Sequence, residues 1–168
     1  MRDLVTRIFV ILTKSTKWLA IIASVCIGVL MAINFIDVIG TKFFGKSIPG
    51  ALDISEELMV FMTLLPIAYV ALERGHIRVA LFDGMMSPRK AFIINIFQYS
   101  IAVIISAILT VRTFVQFLKR IEVVTLKEGI DLPIWPANLV VVISFFFLTL
   151  VWVILLGKTI VQGVEENP

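Results

Sequence analysis

The chain has 168 residues, 60% hydrophobic and only 16% charged, with a formal net charge of +3. Soluble domains run nearer ~45–50% apolar and ~25% charged, so this composition excludes an ordinary water-soluble fold. It points to one integral membrane domain over residues 1–168, whose small positive balance is explained by basic inner-leaflet loops and does not call for nucleic acid.

Residues 1–17 combine Arg2, Arg7, Lys14 and Lys17 with apolar residues at roughly helical spacing. They read as an amphipathic helix at the cytoplasmic headgroups, or as an extension of the first span. That span covers about residues 18–39. Its apolar run exceeds the ~7–15 residues of a signal-peptide core and no Ala-x-Ala site follows, so it reads as uncleaved. Ala20, Ser24, Gly28 and Ala32 lie four apart and form a ridge of small residues, the kind that lets helices approach closely in lipid. Cys26 has no second cysteine to bridge and no companions for a metal, which leaves a small packing residue. Asn34 and Asp37, three apart, share a face near the far end. Gly40 to Asp53, with Pro49 and three glycines, reads as an outer loop.

The second span is expected over about residues 55–73, with Ser55 as the cap and Glu56 and Glu57 in the first turn, against the positive end of the helix dipole. The apolar run Leu58–Leu72 rises only ~22 Å, short of the ~30 Å hydrocarbon core, so it must borrow residues at that end. Pro66 removes a backbone hydrogen bond in mid-run and predicts a kink. The run stops at Glu73-Arg74-Gly75-His76-Ile77-Arg78. Arg74, His76 and Arg78 are candidates for contact with an inner-leaflet headgroup or anion, weighed against an ordinary solvated turn. Ile77 to Met86 is too short to span and predicts a short surface helix.

The third span, about residues 91–118, is long enough to tilt or protrude. Ala102, Ser106 and Thr110 form a second ridge of small residues, and Arg112 and Gln116 share a face one turn apart. After an outer loop, Trp135 marks an interface and Pro136 a helix start. The fourth span, about residues 136–156, has few small residues and suits lipid or a large apolar partner. The fold class is therefore all-α, with four transmembrane helices. Nine basic residues fall on one side (Arg2, Arg7, Lys14, Lys17, Arg74, Arg78, Arg89, Lys90 and Lys158) and five on the other (Lys42, Lys46, Lys119, Arg120 and Lys127). Both termini are expected in the cytoplasm.

One histidine excludes a bis-histidine haem, and no phosphate loop, paired metal ligands or nucleophile motif occurs. The reading is no enzyme and no cofactor. The informative polar residues, Asn34, Asp37, Glu56, Glu57, Arg112 and Gln116, gather towards the outer ends of their spans. A lone charge at mid-bilayer costs ~2.5–3.5 kcal/mol, and less near the interface. Such a cluster is either an ion or proton site, or an arrangement that fixes helix register or docks a partner. The second reading is favoured, because no carboxylate lies near the midplane, where a coupling ion is expected.

Pro49-Gly50-Ala51-Leu52-Asp53-Ile54-Ser55-Glu56-Glu57-Leu58, then Arg74-Gly75-His76-Ile77-Arg78-Val79, and later Leu132-Pro133-Ile134-Trp135-Pro136, resemble the small membrane subunit of tripartite ATP-independent periplasmic (TRAP) transporters, the DctQ-like family. The family often has an arginine soon after the first-span asparagine; here Asp37 and Gly40 follow Asn34. The resemblance implies a bacterial inner-membrane subunit with two partners: a large elevator-type membrane subunit and a periplasmic substrate-binding protein. It also implies sodium-driven uptake of a carboxylate, such as a C4-dicarboxylate or sialic acid, with the small subunit bracing the scaffold. Two alternatives remain: a self-sufficient four-span proton-coupled transporter acting as a dimer, and a scaffold subunit of an unrelated membrane complex.

Overall fold

In hydrocarbon no water satisfies the backbone, so each segment must pair its own amides and becomes helical. The computed structural model describes residues 2–73, 88–122 and 135–165, and within these every regular element is a helix. In chain order they are α1 (Arg2–Phe44), α2 (Ala51–Leu64), α3 (Ile67–Leu72), α4 (Pro88–Glu122) and α5 (Trp135–Glu165). Among the described residues, four stretches are long and apolar enough to cross a membrane: Phe9–Phe44, Ala51–Leu72, Phe92–Ile121 and Trp135–Val161. The chain is thus an all-α, multi-pass membrane protein.

The basic N-terminal segment, from Arg2, is continuous with the first span, the extension that the sequence allowed, so α1 runs unbroken for 43 residues. Several boundaries differ from the sequence reading: α1 continues to Phe44, into the expected outer loop, and α4 and α5 extend to Glu122 and Glu165, past the expected ends of their spans. The second span starts at Ala51 rather than Ser55, because Gly50 adopts a left-handed conformation (φ 74°) that turns the chain directly into the helix with no side-chain cap. The added turn brings Ala51–Leu72 to 22 residues, or ~33 Å, which matches the hydrocarbon thickness. Helix α5 begins at Trp135, with Pro136 in its first turn, where a missing N–H costs nothing.

The interruption between α2 and α3 falls at Leu65-Pro66, as the missing proline N–H dictates. Hydrogen bonding resumes on either side, with Leu65 N–H donating to Phe61 O at 3.1 Å and Val70 N–H to Pro66 O at 2.9 Å. The second span is therefore one rod interrupted at Pro66, not two separate helices. The stretch expected to form a surface helix, Ile77 to Met86, lies outside the described residues, as do Arg74, His76 and Arg78.

Helix α5 is the centre of the packing. It lies against α2, α3 and α4, with a smaller contact to α1, while α1 packs mainly on α2 and α3. The core concentrates at the end of the bundle that carries both termini. There Leu12 of α1, Ala68 and Ala71 of α3, Tyr99 of α4, and Val151 and Leu155 of α5 bury one another. Ala68 and Ala71 are essentially fully buried, so α3 and α5 approach closely. The Tyr99 and Trp152 rings sit 5.8 Å apart, and Lys158 Nζ lies 3.1 Å above the Phe9 ring, tying the ends of α1 and α5 together.

Helix α1 has one continuous buried line. Leu12, Thr16, Leu19, Ala23, Cys26 and Leu30, continued by Ile33, Asp37 and Gly40, alternate spacings of four and three and are all buried or half-buried. This is the 3.5-residue period of a left-handed helix pair. Thr16 spends its hydroxyl on its own helix, donating to Leu12 O at 2.9 Å, so it packs without an orphan proton.

Candidate functional site

The polar residues singled out in the sequence fall into separate places. Asp37 lies near the end of the α1 seam and organises the loop beyond it: its Oδ1 accepts the Ile48 N–H at 2.7 Å. Close by, Lys46 N–H donates to Gly40 O at 3.2 Å, and Ala51 N–H to Ile48 O at 3.1 Å. A Cβ on Gly40 would lie 2.8 Å from the Lys46 carbonyl oxygen, so glycine is what lets the loop fold back onto the helix. Gly45 (φ 62°) and Gly50 (φ 74°) supply the two left-handed turns. The result is a closed clasp between the first two spans.

Asn34 is exposed and donates into its own helix, to Leu30 O at 2.9 Å. Glu56 is exposed and Glu57 half-buried on α2, and each is engaged by a neighbouring group. Arg112 and Gln116 are exposed on α4. Since α4 packs on α5, the chain by itself does not join Arg112 to the carboxylates of α1 and α2. Among the described residues Arg112 has no polar partner.

The two ridges of small residues also part company. On α4, Ser106 is buried, Ala102 is half-buried, and the Thr110 hydroxyl meets that of Thr149 on α5 at 3.1 Å. On α1, Ser24, Gly28 and Ala32 are exposed, and nothing lies within 4 Å of where a Gly28 side chain would sit; only Ala20 is half-buried. Sequence reasoning missed Thr149 and the Lys158–Phe9 contact, whose partners are 39 and roughly 150 residues apart and share no local pattern. A cleft of about 440 Å³ between α4 and α5 is lined by Thr110, Val111, Phe114, Val142, Ile143 and Phe146. Its walls are almost wholly apolar, which fits an acyl chain or a side chain better than a charged solute. Among the described residues, no group of three or more His, Cys, Asp or Glu could hold a metal ion.

These helices are mostly uncovered: 6% of the most apolar stretch of the α1 span and 11% of that of the α4 span is buried within the chain. Comparison with protein families matches residues 30–161 to the DctQ component of tripartite ATP-independent periplasmic transporters. The chain belongs to the DctQ family. The match takes in the clasp, α2 to α4 and nearly all of α5. Comparisons with curated proteins and with solved structures find no match. A DctQ protein is a component of a TRAP transporter, which agrees with a multi-pass fold whose helices leave wide faces open.

Proposed function

We propose that this chain is the non-catalytic small membrane subunit of a sodium-coupled TRAP importer of an organic acid, of the C4-dicarboxylate or sialic acid type. It braces the static scaffold of a large elevator-type membrane subunit, and a periplasmic binding protein delivers the substrate. The protein sits in a bacterial inner membrane with both termini in the cytoplasm, so the Gly40–Gly50 clasp faces the periplasm. The basic residues counted above support that orientation.

The observation that carries the reading is how little of α1 and α4 the chain covers for itself, 6% and 11% of their most apolar stretches. A self-sufficient carrier must enclose a polar path between its helices. Here α4 and the second span pack on α5, α1 packs mainly on the second span, and the cleft between α4 and α5 is apolar. Such an arrangement is suited to extend another membrane protein rather than to enclose a solute. Co-expression with a large TRAP membrane subunit from the same genome tests the reading: a tag on this chain should retain that subunit through detergent extraction and size exclusion. Elution of this chain alone or as a homodimer would refute it.

A further inference from the structure

We infer that the free face of α4 is the surface on which the large membrane subunit docks, and that Arg112 meets a carboxylate of that subunit within the periplasmic leaflet. The inference rests on the scaffold-subunit reading and deepens it. Helix α4 uses one side against α5, through Ser106 and Thr110. At 100° per residue, the opposite side carries Gln98, Ile101, Ile105, Ile108, Arg112 and Val115, every one exposed. Their spacings alternate three and four, so they form a straight line that one partner helix can follow at a shallow crossing angle.

Depth makes Arg112 decisive. The α4 span Phe92–Ile121 has 30 residues, about 45 Å, so it overhangs a ~30 Å core by roughly 7 Å at each end. Arg112 lies about 14 Å from Ile121, hence roughly 6 Å inside the hydrocarbon. Ionised residues within a transmembrane segment almost always face the interior of a bundle or a water-filled cavity and are paired. Arginines near a helix end also snorkel, but the Cα–Cβ bond of Arg112 leans toward the α4 N-terminus, away from the nearer interface. Arg112 faces away from this bundle and has no polar partner among the described residues. The interior it faces is therefore that of a larger assembly, and a guanidinium with five donors calls for a carboxylate there. The free face of α1 makes no such demand: Ser24 donates to Ala20 O at 3.0 Å and Asn34 to Leu30 O at 2.9 Å.

The test uses the co-expressed complex in membranes. A photo-reactive residue at Ile105 or Ile108 should capture the large subunit, and one at Met31 on α1 should capture several-fold less. Arg112→Glu should lower the co-purified large subunit at least tenfold while leaving the yield and helix content of this chain unchanged. An acidic-to-arginine change on the large subunit should restore capture. Capture at Met31 alone, or only lipid adducts at Ile105 and Ile108, overturns the inference while leaving the scaffold reading intact. Unchanged retention by both Arg112→Glu and Arg112→Leu does the same. Failure of the unaltered chain to retain the large subunit overturns both.

Discussion

Gly28→Ala and Gly40→Ala make the same chemical change in the same helix, and the structure predicts that they differ. Each removes a glycine from a helix interior, which favours the folded state by up to ~1 kcal/mol. At Gly28 nothing lies within 4 Å of the new methyl, so that gain should appear in full. At Gly40 the methyl would meet the Lys46 carbonyl oxygen at 2.8 Å, and this is a backbone atom that yields only if the loop moves. Movement breaks the Lys46–Gly40 hydrogen bond, worth ~0.5–1.5 kcal/mol, and pulls Ile48 from the Asp37 carboxylate, a charge-assisted bond worth ~1.5–3 kcal/mol. With the helix gain common to both, Gly40→Ala should be less stable than Gly28→Ala by about 2 kcal/mol or more. Unfolding in mixed micelles by a denaturing detergent, followed by circular dichroism, measures the gap. Equal stabilities, or a more stable Gly40→Ala, would refute the clasp.

Other substitutions probe the packing around α5. Ala68→Leu places a large side chain where the residue is fully buried between α3 and its neighbours, and should cost ~1–3 kcal/mol in the same unfolding assay. Thr149→Val removes the hydroxyl contact with Thr110 between α4 and α5 and should cost only ~0.6 kcal/mol, the average for such bonds in membrane bundles. Ser144 is fully buried, and its hydroxyl has no partner among the described residues. Ser144→Ala should therefore stabilise the protein by ~1 kcal/mol, and a loss of similar size would show that the hydroxyl is engaged.

Sequence reasoning reached the features that depend on local chemistry. Long apolar runs gave four spans because lipid leaves the backbone no alternative to a helix. Pro66 gave the interruption between α2 and α3 because its missing N–H acts wherever it stands. The start of α2 was harder. Ser55 with two following glutamates carries a familiar capping pattern, whereas the true entry, a left-handed Gly50, depends on the path of the preceding loop. The α1 seam shows a subtler limit. A line of residues spaced by four drifts ~40° per step, so the short run Ala102, Ser106 and Thr110 stays on the packed face of α4, whereas the longer run Ala20, Ser24, Gly28 and Ala32 leaves the buried face of α1 after Ala20. A line alternating three and four stays on its face, and that is the line α1 buries against α2 and α3. The Asp37–Ile48 bond joins residues eleven apart across a loop, so no periodicity announces it.

The central claim is that this chain supports transport without performing it. Uptake of a radiolabelled organic acid under a sodium gradient should be measured in liposomes with the matching binding protein, comparing this chain alone with this chain plus the large subunit. The account predicts uptake only when both membrane subunits are present. Concentrative uptake by vesicles holding this polypeptide alone would contradict it.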